Sequence, residues 1–209
     1  MRIAREGYPL IALAALAAVA ALVLGGTAIG VILAVAALAV AAFFRDPERV
    51  IPSGEGIVVS PADGKVVSVV EIKNDPKFAE AATRVSIFLS PFDVHINRMP
   101  IAGEVEDVSY QRGKFVAAYR DDASARNEQN AVKVVDERGR QLGVVQIAGV
   151  LARRIICRVR RSDRVQRGQR FGLIMFGSRT DAYLPSGCRI EVTEGQRVKG
   201  GETILARFV

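Results

Sequence analysis

The chain has 209 residues, half of them hydrophobic, with 29 Lys and Arg against 22 Asp and Glu. This length predicts one globular domain, and the uneven distribution of the apolar residues adds a membrane segment. The single histidine excludes a histidine-rich metal centre, and the two cysteines, Cys157 and Cys188, lack a zinc-site spacing, so we expect no metal.

The first 44 residues are dominated by apolar side chains, and no charged residue occurs from Gly7 to Phe44. As one helix, these 38 residues would be roughly 57 Å long, about twice the hydrocarbon core of a bilayer. The Gly25-Gly26 step divides them into arms of residues 10–24 and 28–44. The segment is also longer than the apolar region of a signal peptide. The sequence therefore predicts an N-terminal α-helical membrane hairpin, residues 1–44.

Arginines flank this hairpin on both sides, Arg2 and Arg5 before it and Arg45 and Arg49 after it, whereas its tip carries no charge. The positive-inside rule then places both ends in the cytoplasm. We expect the protein in the cell (inner) membrane, with the domain that follows on the cytoplasmic side.

Residues 45–209 form the second expected domain, in which short β-branched runs alternate with Pro and Gly. This spacing is typical of a mainly β fold, a sandwich or barrel. The similar turns "RVQRG" (164–168) and "RVKGG" (197–201) suggest duplicated β halves. Residues 79–83 and 117–125 are expected to form a short helix or an ordered loop. The expected strands are 57–59, 65–72, 85–89, 105–110, 131–136, 142–147, 155–160, 171–175 and 188–192.

The β domain is basic, since 27 Lys and Arg against 21 Asp and Glu give it a net charge of +6. We expect it to be attracted to an anionic membrane surface. The densest basic cluster, residues 152–170, alternates with apolar residues and contains no stacking aromatics before Phe171, which argues against nucleic acid. Membrane headgroups are the favoured partner of this cluster, and an ordinary solvated strand face is the alternative.

Three residues supply the chemistry of a Ser-His-Asp relay at the edges of expected strands. Ser178 follows Gly177 in the only Gly-Ser step of the chain, which as a dipeptide could also be a plain turn. His95, in "FLSPFDVHINRMP" (88–100), is the one side chain suited by its ordinary pKa to acid-base work near neutral pH. Asp63, in "SPADGKV" (60–66), supplies the acid, although Asp-Gly alone is also a common hairpin turn.

Four motifs in order resemble the phosphatidylserine decarboxylase family, in its short form with an N-terminal membrane hairpin. They are "FFRDPER", "PADGKV", "FLSPFDVHINRMP" and "FGLIMFGSRTDAYLP", and the likeness spans nearly the whole chain. The resemblance implies pyruvoyl-dependent decarboxylation of phosphatidylserine to phosphatidylethanolamine and CO₂. It also implies self-cleavage between Gly177 and Ser178 into residues 1–177 and 178–209, which stay associated.

In this family pattern Ser178 becomes the pyruvoyl group, which accepts the electrons released as CO₂ departs. His95 is implied as the base for self-cleavage, with Asp63 orienting its ring. Longer bacterial relatives carry a second histidine where this chain has Arg98, so His95 is expected to serve both cleavage and protonation. Arg98 would bind the substrate carboxylate or phosphate, or pair with an acid on the surface. Ser90 and Asp93 are further candidates for substrate contact, Asp93 also for support of the histidine.

Other functions remain open at this point. Headgroup chemistry does not distinguish phosphatidylserine from an ether-linked (archaetidyl) serine lipid. A non-enzymatic biotinyl-like or lipoyl-like membrane-anchored module would share the β architecture and the "EGQRVKGGETILA" turn (194–206), but the Met-Lys-Met tip of such carriers is absent. Lysostaphin-like metallopeptidases need several histidines. The oligomeric state, including a homodimer, is not fixed by the sequence.

Overall fold

A computed structural model describes residues 2–73, 75–116, 123–150, 154–175 and 177–209, with only the main chain at 123 and 125. The chain divides into two compact units, Met1–Glu48 and Arg49–Val209. We call the first the helical unit and the second the β unit.

The helical unit is a pair of apolar helices joined by a tight turn. Strand β1 (Arg2–Ile3) precedes helix α1 (Tyr8–Val23), and helix α2 (Thr27–Phe43) leads into strand β2 (Arg45–Asp46). Because β1 pairs antiparallel with β2, both ends of the hairpin lie together. This confirms the expected N-terminal helix pair.

Small residues allow the two helices to approach closely. A Cβ added at Gly30 would lie 2.5 Å from Leu22 Cγ, so only glycine fits at this contact. Elsewhere the helices expose their apolar side chains, as with Leu13, Leu16 and Leu38, which are 68%, 69% and 70% exposed. Arg5–Val23 is long and apolar enough to cross a membrane, and Thr27–Phe43 is a shorter apolar helix.

The β unit contains fourteen strands and one helical turn, α3 (Ala123–Arg126), among the residues described. The strands are β3 (Ile57–Val59), β4 (Gly64–Glu71), β5 (Ala81–Leu89), β6 (Ile96–Arg98), β7 (Gly103–Gln111), β8 (Gln129–Val135), β9 (Gln141–Ile147), β10 (Ile155–Cys157), β11 (Arg164–Val165), β12 (Arg170–Ile174), β13 (Ser178–Pro185), β14 (Cys188–Ile190), β15 (Arg197–Val198) and β16 (Ile204–Phe208).

Three antiparallel sheets make up this unit. A curled eight-stranded sheet has the order β11-β7-β8-β9-β13-β5-β4-β15, and two three-stranded sheets have the orders β10-β12-β6 and β14-β16-β3. The main core contains Val58 and Phe171 from the two small sheets and Leu89 and Val132 from the large one. Sheets layered around this main core, the largest of them curled, confirm the expected mainly β fold of sandwich or barrel type.

The strand connections repeat in the two halves of the β unit. One half contains β3, β4, β14, β15 and β16, and the other contains β6, β7, β10, β11 and β12. The strands of the two halves follow the same order along the chain and pair in the same pattern. The two similar "RV" segments are β11 and β15, which form the opposite edges of the large sheet. The sequence echo therefore marks equivalent positions of two related β halves.

One local expectation differs from the structure, and another is tested only in part. Residues 79–83 are not helical, because β5 begins at Ala81 and pairs through Pro185 with β13. Of residues 117–125, those numbered 117–122 lie outside the described part of the chain, and α3 begins at Ala123. The expected strands did not include β6, β11, β13, β15 and β16.

Candidate active site

Ser178 is the first residue of β13, an interior strand of the large sheet. It lies opposite Leu89 of β5, and its side chain is fully buried. Its Oγ has no hydrogen-bond partner among the residues that the structure describes. Leaving a buried hydroxyl unpaired costs about 1–3 kcal/mol, so such a group in a well-packed strand points to function rather than stability.

Gly177 precedes this serine with a left-handed main chain, φ +53°. A side chain would find open space there, with no atom within 4 Å of an added Cβ among the described residues. Conformation, not crowding, therefore favours glycine at this position. The same residue leaves the carbonyl before Ser178 unhindered.

His95 lies in the connection between β5 and β6 and is 2% exposed. Its Nδ1 is 2.9 Å from the main-chain oxygen of Asp93. A carbonyl oxygen only accepts hydrogen bonds, so the neutral ring carries its hydrogen on Nδ1. Nε2 is then the basic nitrogen, as a general base requires.

Contacts between β6 and β13 bring His95 and Ser178 to the same region. Asn97 Nδ2 donates to Thr180 Oγ1 at 3.0 Å, and both residues are fully buried. His95 and Ser178 each lie two residues before these partners along the chain. In addition, the N–H of Ile174, four residues before Ser178, donates to His95 O at 3.3 Å.

A buried amide network supports this contact. Gln146 Nε2 donates to Asn97 Oδ1 at 2.9 Å and to Ile156 O at 3.2 Å, while Asn130 Nδ2 donates to Gln146 Oε1 at 3.1 Å. Sequence reasoning missed these residues. Their signal was available, since Asn130 shares an inward-facing side with Val132 in β8, and Gln146 with Val144 in β9.

Asp63 is held by two long-range contacts. Arg49 Nη2 lies 2.7 Å from Asp63 Oδ2, and the N–H of Gly200 donates to Asp63 Oδ1 at 2.8 Å. Burial raises the pKa of Asp63, and these two donors oppose that rise. Arg49 also lies 3.5 Å from Glu202 Oε2. We expected Asp63 to orient the ring of His95, whereas the bond at Nδ1 comes from the main chain of Asp93.

Ser90 and Asp93 form a turn that carries His95. The N–H and hydroxyl of Ser90 donate to Asp93 Oδ2 at 2.9 and 2.7 Å, and Arg197 Nη1 lies 2.8 Å from Asp93 Oδ1. Burial alone would raise the pKa of Asp93, but the hydrogen bonds from Ser90 and Arg197 lower it. This carboxylate is thus held ionised beside the histidine.

Arg98 is 4% exposed, and its Nη1 donates to Gly168 O at 3.0 Å. This burial does not fit the expectation that Arg98 pairs with an acid on the surface. Gly201 passes close to it, since an added Cβ would lie 2.9 Å from Arg98 Cδ. Its expected contact with the substrate stays a prediction.

The site lies at one end of the large sheet, beside a cross-strand row of paired residues. This row consists of Arg197, Lys65, Phe88, Arg179, Ile147, Gln129 and Gln111. We call this row and the loops beyond it the site end. The opposite end, where β13 ends at Pro185 and β9 begins at Gln141, is the far end.

Among the described residues, no three His, Cys, Asp or Glu side chains cluster as they would around a metal ion. Cys157 and Cys188 are not joined in a disulfide. Burial raises the pKa of both thiols, that of Cys188 to about 11, so both are protonated near neutral pH.

Comparison with known proteins identifies the family. The family model described as phosphatidylserine decarboxylase matches residues 36–206. Proteins named phosphatidylserine decarboxylase proenzyme are similar to the chain: that of Syntrophus aciditrophicus is 44% identical over 99% of this chain and 97% of its own length. That of Symbiobacterium thermophilum is 50% identical over 99% and 95%. These likenesses favour the decarboxylase over the carrier-module alternative, and the chain belongs to the phosphatidylserine decarboxylase family.

Proposed function

We propose that this chain converts phosphatidylserine to phosphatidylethanolamine and CO₂ after it cuts itself between Gly177 and Ser178. The observation that carries the proposal is the buried Ser178 hydroxyl, which has no described hydrogen-bond partner, at the chain's one Gly-Ser step. Family membership and the names of the relatives support the same reaction.

The proposed cut begins with attack of Ser178 Oγ on the Gly177 carbonyl, while Nε2 of His95 takes the hydroxyl proton. The peptide bond becomes an ester. Loss of the Ser178 α-proton then expels residues 1–177 as a carboxylate and leaves a dehydroalanine at 178. Uptake of one water and release of one ammonia convert this residue to a pyruvoyl group.

Ser178 fits this conversion because its side chain is buried and no described side chain uses its hydroxyl for a structural hydrogen bond. A pyruvoyl group supplies a ketone that draws off the electron pair as the substrate carboxyl leaves as CO₂. His95, protonated at Nε2 by a proton taken up from solvent, then donates the proton that completes the product. Asp93 keeps the ring in place through its main-chain oxygen.

We propose that the two products of cleavage stay together. Three polar contacts join residues on either side of the cut: Asp63 with Gly200, Arg49 with Glu202 and Asp93 with Arg197. Strand β13 also remains hydrogen-bonded between β5 and β9. The contacts near Asp63 and Asp93 thus position catalytic groups across the cut.

The helical unit is proposed to anchor the enzyme in the inner membrane, with the β unit on the cytoplasmic side. Its exposed apolar helices and the flanking arginines support this placement. A phospholipid substrate is then available in the same membrane.

The test is a decarboxylation assay on the full chain in vesicles that contain carboxyl-labelled phosphatidylserine. We expect labelled CO₂ and an equal amount of phosphatidylethanolamine, and neither from Ser178→Ala. A parallel arm with the ether-linked serine lipid measures whether the backbone linkage matters. Absence of CO₂ from both lipids, with the chain fully cleaved, would overturn the proposed reaction.

A further inference from the structure

Exposed apolar side chains of the β unit lie mostly toward the site end of the large sheet. The exposed large apolar residues of its described part are Val50, Phe92, Tyr110, Val150 and the C-terminal Val209. Single exposed apolar residues are common on soluble proteins, but a cluster at one place indicates an interaction surface. Only Val209, bonded through its N–H to Gly187 O, lies at the far end.

The two most exposed of the site-end residues border the proposed catalytic groups directly. Phe92 is 85% exposed and precedes Asp93, whose main-chain oxygen holds His95. Val50 is also 85% exposed and follows Arg49, which binds Asp63. Both positions are joined by polar contacts to the same segment, residues 197–202. Arg197 pairs with Asp93, next to Phe92, and Glu202 contacts Lys199 and the N–H of Val50.

Positive charge surrounds these apolar residues. Exposed basic side chains in the described part of the site end include Lys65, Arg112, Lys114, Arg126, Arg197 and Lys199. The acidic side chains in the described part of this end, Asp63, Asp93, Glu128 and Glu202, are each partly buried. Apolar side chains inside a ring of cations match the interface of a bilayer that contains anionic lipid.

We infer that the site end docks on the membrane surface, with Phe92 and Val50 in the headgroup region and the surrounding cations against anionic lipid. This inference rests on the proposed phospholipid substrate. It gives the serine headgroup a short path to Ser178 while the acyl chains stay in the bilayer. The part of the basic cluster that holds β11 lies elsewhere, because β11 pairs with the start of β7 at the far end.

Tryptophan fluorescence tests the orientation, because the natural chain contains no tryptophan. Phe92→Trp, Val209→Trp and Gln166→Trp each place one probe, at the site end, at the far end and in the basic cluster. Each full-length variant is reconstituted in vesicles of phosphatidylcholine and phosphatidylglycerol, with or without bromine on the acyl chains. We expect brominated lipid to quench the site-end probe of Phe92→Trp, with a blue-shifted emission, and to leave the emission of the other two variants unchanged.

Quenching of Gln166→Trp or Val209→Trp without quenching of Phe92→Trp would overturn the inference, as would equal quenching of all three variants. The readout does not depend on decarboxylation, so it can be repeated on uncut chains that also carry Ser178→Ala. An active enzyme with an unquenched site-end probe would disprove only the docking surface, whereas an inactive enzyme with a quenched site-end probe would disprove only the proposed reaction.

Charge provides a second measurement. Lys199→Gln should slow turnover on phosphatidylglycerol-rich vesicles roughly fivefold at low salt, the effect of about one surface cation, and the difference should vanish at high salt. Arg189→Gln is the matched control, since Arg189 is exposed and pairs with Glu191 in the segment after β14, away from the site end. Equal slowing by both variants would contradict a local docking surface.

Discussion

The two ends of the large sheet differ in what is buried. At the site end, a serine hydroxyl, a histidine, three amides and a threonine hydroxyl are buried around the start of β13. At the far end, clefts of about 900 and 680 Å³ open between loops lined by residues such as Arg138 and Arg140. These two clefts lie away from the proposed chemistry. The candidate site is marked by these buried polar groups, above all the Ser178 hydroxyl, rather than by either of the two clefts.

The largest expected effect comes from removing the hydroxyl at the site end. Ser178→Ala should remain one chain of 209 residues and show no decarboxylation, because no nucleophile and no pyruvoyl precursor remain. Ser186→Ala is the far-end control, in the turn after β13, and should be cut and active like the parent. Gel electrophoresis and the CO₂ assay measure both outcomes. Cleavage of Ser178→Ala at the same bond would refute the assignment.

His95→Asn should slow self-cleavage by about 10²- to 10⁴-fold, the usual contribution of a general base. Asn retains a polar group near the position of Nδ1 but no basic nitrogen. The rate is followed by the appearance of the small chain during refolding, with circular dichroism as the test of folding. A folded variant that cleaves at the parental rate would remove His95 from the proposed mechanism.

Arg49→Gln breaks the ion pair between Arg49 and Asp63. Burial already raises the pKa of Asp63, and loss of the nearby cation should raise it further, because that cation favours the ionised carboxylate. If ionised Asp63 is needed for cleavage, the acid limb of the cleavage rate should move to higher pH. Arg49→Lys should recover part of the shift.

The matched control for this pair is Arg207→Gln, which breaks a more exposed pair, Arg207 Nε to Glu191 Oε1 at 2.9 Å. Exposed pairs contribute only about 0–1 kcal/mol, so cleavage should keep its pH profile. An unshifted profile in Arg49→Gln as well would show that the ionisation of Asp63 does not limit cleavage.

The smallest effect is expected for Arg197→Ala, which removes an exposed partner of Asp93. Ser90 still holds Asp93 Oδ2, so cleavage in detergent should slow by less than about fivefold. Arg189→Ala is matched in exposure, because both arginine side chains are 69% exposed, and it should have no effect. Slowing of more than about a hundredfold by Arg197→Ala would mean that this ion pair, and not Ser90, positions the histidine turn.

Local pattern was sufficient to predict most of the fold. An uncharged run from Gly7 to Phe44 leaves few options besides apolar helices, and β-branched runs mark most strands. Strand β13 escaped detection because its sequence, "SRTDAYLP", looks like a charged loop. Arg179 and Asp181 lie on the same side of this strand, and Arg179 Nε is 2.9 Å from Asp181 Oδ1, so the two charges are buried as a pair. Only tertiary structure reveals that pairing.

The candidate site was predictable only in part. Ser178, His95 and Asp63 stand out by residue type and motif, whereas Arg49 and Gly200 become site residues through contacts that the sequence does not encode locally. Gly200 lies 137 residues from Asp63 along the chain, and Thr180 lies 83 residues from Asn97. No periodicity or spacing rule connects residues at such separations.

Intact-mass analysis of the purified protein tests the central claim, cleavage of the chain at Ser178. The account predicts two chains, residues 1–177 and a 32-residue chain of 178–209 whose first residue is a pyruvoyl group with a reducible ketone and no free amine. A single uncut chain in active protein, or a small chain that begins with a free Ser178 amine, would contradict it.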